Sequence, residues 1–234
     1  MTAGASARRP AVVPVILAAG APRGLPFLKA LARFDGQFAL ERAVETCRRT
    51  PGLATPIVVL GCGGGRVVSA LRPREGSNQR PPATFVHNLR WRRGQLSSLL
   101  AGLRRVPRRA AGILLYPVDY PLLTPKLLGR LLRAFRSRAE EKQIVVPCIG
   151  RRSGHPIVAA RGLAAEFRAC ARRGGTARDV IYRVTRPDRV LRVAVRDAAI
   201  FRDFDSLASY RVCLRQLHRR QDGRPNARRA CTRP

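Results

Sequence analysis

Short apolar runs, each closed by glycine or proline, alternate along this chain with longer segments whose apolar residues recur at helical spacing. That alternation restricts the fold more than any other feature. Apolar runs without polar alternation belong to strands buried on both faces, the condition of a mainly parallel sheet covered by helices. Val12 to Ala18, Pro56 to Leu60, Ala83 to His87 and Gly112 to Val118 are such runs, and Ile144 to Pro147, Pro156 to Ala159 and Val190 to Val195 follow them. Between them, Gly36 to Arg49 places Phe38, Leu40, Ala43, Val44 and Cys47 near one helical face. The turn Gly61 to Gly65 leads into a helix through Leu71, and Gln95 to Arg105 forms the next. Thr124 caps a helix to about Arg138, with Pro125 in the first turn, where a missing N–H is harmless. Further helices are expected near 161 to 171, 176 to 183 and 206 to 218. The architecture expected is α/β, a three-layer sandwich around a mainly parallel sheet.

At 234 residues and 45% hydrophobic, the chain can bury one sizeable core. We expect a single domain over 11–218, a flexible N-terminus over 1–10 and an exposed loop over 73–82, where three prolines flank a Gly-Ser-Asn cluster. Residues 219–234 are arginine-rich and poor in apolar residues, which predicts a basic, disordered tail. No apolar run reaches the roughly 20 residues of a membrane helix, since Ala11 to Ala19 is broken by Pro14 and followed by Gly20. The stretch behind Arg8 and Arg9 ends in a Gly-Ala-Pro-Arg turn instead of a small-residue cleavage site, so no signal peptide is expected. Cys47, Cys62, Cys148, Cys170, Cys213 and Cys231 form neither a close pair nor a zinc-spaced cluster. Free thiols in a reducing cytoplasm are the expectation.

The formal net charge is +32, nearly all of it arginine, because Lys29, Lys126 and Lys142 are the only lysines. A surface so basic attracts nucleic acid through counterion release. The arginines are spread along the whole chain, however, and aromatic residues are only 6%, with no zinc finger or aromatic-basic motif. Arginine usage set by genome base composition, with non-specific affinity for phosphate-bearing ligands as a by-product, accounts for this better than a dedicated nucleic-acid reader.

Three places could carry chemistry. The first strand runs into Leu17-Ala18-Ala19-Gly20-Ala21-Pro22-Arg23-Gly24, with Lys29 nine residues after Gly20. Glycine permits close approach of the backbone to a phosphate, the alanines leave room for a nucleotide, and Arg23 and Lys29 can neutralise phosphate oxygens. Asp119 stands at the carboxyl end of a buried strand, the edge at which open α/β sheets bind ligands, and can hold Mg²⁺ against a triphosphate. Asp203 and Asp205 alternate in an extended segment and can supply the other side of a metal site, while Asp205 can also cap the last helix. The glycines at 61 to 65 fail the dinucleotide pattern, because Arg66 stands where the last glycine belongs.

The motifs Leu17-Ala18-Ala19-Gly20 with Arg23 and Lys29, Asn88 followed by Gly94-Gln95-Leu96-Ser97-Ser98, Val118-Asp119-Tyr120-Pro121-Leu122, Gly154-His155-Pro156 and Asp203-Phe204-Asp205 occur in that order. Together they resemble the MobA-like nucleotidyltransferase family, and within it molybdenum cofactor cytidylyltransferases most. The resemblance covers about residues 12 to 215. It implies a Rossmann-like, nucleotide-diphospho-sugar transferase-like fold and a Mg²⁺ cofactor. By the same resemblance Leu17, Ala18, Ala19, Gly20, Gly24, Asn88 and Ser98 contact the nucleotide, and Arg23, Lys29 and Asp119 are catalytic. Asp119 and Asp205 hold the metal, and Gly94, Ser97 and His155 lie on the acceptor side. Ala19 as third residue of the turn favours CTP over GTP.

The implied reaction is attack by an acceptor phosphate, on molybdopterin or a sugar phosphate, at the α-phosphorus of a nucleoside triphosphate, with pyrophosphate leaving. An ionised phosphate needs no general base, so positioning and charge neutralisation suffice. The chain departs from the family's pattern at Pro22, where a serine is usual, at Arg23, one position early, at Gln95, where methionine is usual, and at Ser206-Leu207, which replace a proline. A non-catalytic nucleic-acid-binding protein with this fold is the competing expectation.

Overall fold

A computed structural model describes residues 11–71, 83–183 and 187–222. β1 (Val12–Ala18) occupies the middle of an eight-stranded sheet with all seven residues buried. It pairs in parallel with β4 (Ile57–Leu60) on one side and β6 (Gly112–Pro117) on the other, and β5 (Thr84–His87) pairs in parallel beyond β4. On the far side of β6 a single strand is inverted. β9 (Ile157–Ala160) is antiparallel to both β6 and β7 (Ile144–Ile149), and β10 (Val190–Ala194) runs parallel to β7. β8 (Arg152–Ser153) folds back as a short antiparallel partner of β7.

Alternation along the strands divides the core into two layers. Val12, Ile16, Leu114 and Tyr116 face one way, against α1 (Ala39–Arg48), α2 (Gly64–Ala70), α4 (Pro125–Ser137) and α6 (Leu207–Asp222). Val13, Val15, Ile113 and Leu115 face the other way, against α3 (Gln95–Leu103) and α5 (Ala164–Arg172). The three-layer sandwich with a mainly parallel sheet is thus present. The Thr124 hydroxyl accepts the Leu127 N–H at 3.3 Å with Pro125 in the first turn, as the sequence predicts.

Several elements differ from the sequence expectation. The helix expected from Gly36 starts at Ala39, because β2 (Arg33–Phe34) and β3 (Gln37–Phe38) form a hairpin before it. Asp35 and Gly36 turn that hairpin with positive φ values of 49° and 79°, the paired left-handed geometry of a tight two-residue loop. The Glu41 carboxylate then accepts the Phe38 N–H at 2.7 Å and closes the first turn of α1. The helix expected over 176 to 183 is present from 177 to 183, but its winding becomes π-helical over Asp179–Arg183.

At the carboxyl side, α6 continues to Asp222, past the expected boundary at 218. Arg220 fastens it by donating to the Leu122 carbonyl at 2.8 Å and to the Asp197 carboxylate at 2.6 Å. Residues 219–222 therefore belong to the folded unit, while 1–10, the loop at 73–82 and 223–234 lie outside the described residues. Among the described residues no helix is long and apolar enough to cross a membrane. Cys47, Cys148, Cys170 and Cys213 are buried free thiols, and Cys62 is half-buried.

Candidate active site

The carboxyl ends of β1 and β6 open into a cleft of about 740 Å³. Leu17, Ala18, Ala19, Gly20 and Arg23 line it from the loop after β1, and Gly94, Gln95 and Ser98 line it from the start of α3. Gly20 has open space where a side chain would begin, so the backbone stays accessible there. Gly24, by contrast, lies outside the lining. Its φ of 70° and the 3.0 Å that would separate a Cβ from the Asp205 carbonyl make it a residue of the turn itself.

Lys29, Asp119 and Asp205 meet at this cleft. The Lys29 ammonium donates to Asp119 Oδ2 at 2.8 Å and also to Asp205 Oδ1. Burial works against the Lys29 charge, but the two carboxylates outweigh it and hold the ammonium above the ordinary lysine pKa. The other Asp119 oxygen, Oδ1, is buried without a hydrogen-bond partner. The Phe204 N–H donates to the Asp119 backbone carbonyl at 3.1 Å, which brings the Asp203-to-Asp205 segment alongside the end of β6. Behind it, Phe34 packs on Phe204 at 5.3 Å and on Tyr210 at 5.1 Å between ring centroids, and Phe27 packs on Tyr210 at 5.2 Å. Lys29 and Asp205 are thus carried by chain segments anchored in one aromatic cluster.

Asp203 and Asp205 part company despite their alternation. Asp205 lines the cleft with Lys29, whereas Asp203 lines a second cleft of about 630 Å³ beside Tyr120 and His155. The cap of α6 is Ser206, whose hydroxyl accepts the Ser209 N–H at 3.2 Å, because the Asp205 carboxylate is engaged by Lys29. The His155 ring lies 4.9 Å from the Tyr120 ring, and the His155 N–H donates to the Ile200 carbonyl at 3.0 Å. Gly154 has to be glycine, since a Cβ there would stand 2.3 Å from that same carbonyl oxygen. Burial lowers the His155 pKa against the raising field of Asp119, and burial followed by Asp205 and Asp119 raises that of Asp203. Gln95 lines both clefts, so the two adjoin.

Two expected contact residues lie away from the first cleft. Asn88 is 7% exposed and lies outside the first cleft. Its amide donates to the Ser97 and Ser98 hydroxyls at 2.9 and 3.0 Å, and its carbonyl accepts the Arg90 N–H at 3.0 Å. Ser97 donates to the Arg90 and Gly94 carbonyls and borders a separate groove behind α3. Together these bonds brace the loop carrying Trp91 and Arg92, which line the cleft and were not singled out from sequence. The one available signal was Trp91, the only tryptophan, set between Asn88 and Gly94. Cys62 also lines the cleft, on the turn after β4, where its N–H donates to the Ala19 carbonyl at 3.1 Å.

Comparison with known proteins supports the assignment of the fold. Rv0371c from Mycobacterium tuberculosis H37Rv, solved as a manganese complex, is 25% identical, with a TM-score of 0.66 over 88% of this chain and 98% of that one. A nucleotidyl transferase from Methanothermobacter, Mth528, is 21% identical, with a TM-score of 0.71 over 90% and 99%. Molybdopterin-guanine dinucleotide biosynthesis protein A from Archaeoglobus fulgidus is 15% identical, with a TM-score of 0.64 over 89% and 100%. No curated protein matches the chain by sequence. The model of the MobA-like NTP transferase domain matches residues 14–190, a span that holds every lining residue of the first cleft except Asp205. The chain belongs to the MobA-like NTP transferase domain family and has the nucleotidyltransferase fold.

Proposed function

We propose that the protein transfers a nucleoside monophosphate from a nucleoside triphosphate to a phosphorylated acceptor and releases pyrophosphate. The observation that carries this reading is the meeting of Lys29, Asp119 and Asp205 beside the open backbone at Gly20, at the carboxyl ends of β1 and β6. In this reading the nucleotide lies along Leu17 to Gly20, Lys29 and Arg23 neutralise its phosphates, and Ser98 lines the same cleft. CTP is the favoured donor, on the strength of Ala19. The acceptor enters past Gly94 and His155 and presents its phosphate to the α-phosphorus, with molybdopterin or a sugar phosphate as the candidates. Its ionised oxygen needs no base, which is consistent with a His155 held neutral by burial.

The residues present fit a divalent cation. Asp119 and Asp205 offer hard carboxylate oxygens, and Asp119 Oδ1 has no other partner. Among the described residues no cluster of three or more potential ligands exists, so phosphate oxygens and water would complete the coordination. The manganese complex of Rv0371c supports a divalent metal here, and we propose Mg²⁺. Such an ion supplies charge neutralisation for the triphosphate and polarises its α-phosphate.

The test is pyrophosphate release with Mg²⁺ or Mn²⁺ and each of CTP, GTP, ATP and UTP, with and without molybdopterin and a panel of sugar phosphates. Acceptor-dependent release with CTP foremost is expected. No release with any pair, together with salt-sensitive nucleic-acid binding, would transfer support to the non-catalytic reading that the +32 charge suggests.

A further inference from the structure

The second cleft carries more positive charge than one reacting phosphate needs. Arg151, Arg152, Arg178 and Arg192 line it, and Asp203 is the one carboxylate among its lining residues. Three of these arginines are held in place by neutral groups. Arg152 stacks 4.6 Å from the Phe201 ring centroid, Arg178 lies 5.9 Å from that of Tyr182, and Arg192 donates to the Arg151 carbonyl. None of the four pairs with a carboxylate among the described residues, so their charge is positioned but not neutralised. Arg178, Arg192 and Tyr182 line this same cleft together. The π-helical turn Asp179–Arg183 begins immediately after Arg178 and presents Tyr182, an unusual winding that is frequent at functional sites. At its other end the cleft reaches Tyr120, the neighbour of Asp119, and Gln95, which it shares with the first cleft.

Resting on the nucleotidyltransferase reading above, we propose that this cleft selects acceptors with two anionic ends. The attacking phosphate faces Asp119 and Lys29, and a second anionic group, phosphate or carboxylate, is held by Arg152, Arg178 and Arg192. Guanidinium groups bind both kinds of oxyanion through charge-assisted, often bidentate, hydrogen bonds. An acceptor with a single phosphate leaves the far guanidiniums unused and binds more weakly.

Three hexose probes with one skeleton test this by calorimetry at fixed ionic strength: glucose 6-phosphate, 6-phosphogluconate and glucose 1,6-bisphosphate. The wild-type protein is expected to bind one or both two-headed probes at least about tenfold more tightly than glucose 6-phosphate. Which of the two gains shows whether carboxylate or phosphate is the preferred second group. The double variant Arg178→Gln/Arg192→Gln should lose that preference while its affinity for CTP stays unchanged. A control of equal charge, Arg93→Gln/Arg104→Gln in the groove behind α3, should keep it. Equal binding of all three probes, or equal loss in the control, would overturn the proposal. A preserved preference in a protein that releases pyrophosphate with no nucleotide or acceptor would instead sink the transferase reading, and with it the acceptor role of the cleft.

Discussion

Lys29 draws its two acidic partners from positions 90 and 176 residues away in the chain, and the candidate site stands or falls on that meeting. Replacing Asp119 with alanine should lower turnover by about 10²-fold or more, because it removes one of the two carboxylates that would hold a divalent cation against the triphosphate. The variant should stay folded, since relief of the unpartnered buried Oδ1 offsets part of the lost ion pair and Asp205 still holds the Lys29 ammonium. Wild-type turnover in Asp119→Ala would refute the assignment. The raised Lys29 pKa keeps that group charged throughout the working range, so acid sensitivity must come from elsewhere. His155 is one source. Its folded-state pKa lies below the ordinary 6.5, so as pH falls through 6.5 the unfolded chain takes up a proton that the native state resists. Stability should therefore decline from pH 7 toward 5, and decline less in His155→Gln, as read by urea titration at each pH. Asp119, Lys29 and Asp205 were legible in the sequence because each stands in a motif at a strand or helix end. Asn88 and Ser97 lie outside the first cleft, a placement the sequence does not reveal because an amide and a hydroxyl look alike there whether they face a ligand or brace their own loop.

At the level of elements, the glycines at 61 to 65 hold segments together. A Cβ on Gly61 would stand 2.6 Å from the Ala19 carbonyl oxygen and 2.7 Å from Trp91 Cβ, forcing apart two walls of the first cleft. Gly61→Ala should cost about 1–3 kcal/mol of stability, as overpacking does, and raise the KM for nucleotide more than it lowers kcat. An unchanged KM would show that the two walls do not need each other. Cys62, beside it, is the one described cysteine that is not buried. A thiol reagent should modify Cys62 ahead of the other described cysteines, and bound CTP should slow that reaction, as followed residue by residue with mass spectrometry. The central strands β1, β4 and β6 were readable because continuous runs report burial on two faces. The position of β9 between β6 and β7 was not, because chain order does not encode spatial order when one strand reverses. The β2–β3 hairpin also escaped, since each strand is only two residues long and the turn Asp35-Gly36 was absorbed into the neighbouring helical pattern.

For the whole molecule, Arg220 ties the last described turn of α6 to the rest of the fold. A chain ending after Asp222 should melt with the full-length protein, whereas one ending after His218 loses the Arg220 bonds to Leu122 and Asp197 and should melt several degrees lower. Coincident melting of the two truncations would show that those bonds contribute nothing. Composition did not show that residues 219–222 are helical, because the helix is held there by an arginine, the residue type that otherwise suggested a tail. The aromatic cluster of Phe27, Phe34, Phe204 and Tyr210 has a consequence for the protein during its own synthesis. A ribosome-bound chain that has already delivered every strand of the sheet, and Asp119 with them, still lacks Asp205 and the ring of Tyr210 against which both Phe27 and Phe34 pack. Domains take shape from the N-terminal side as they emerge. The nascent sheet therefore carries Lys29 on a segment not yet pinned and a carboxylate not yet joined by its counterpart, and an unfinished chain has no complete site with which to engage a cell's nucleotides.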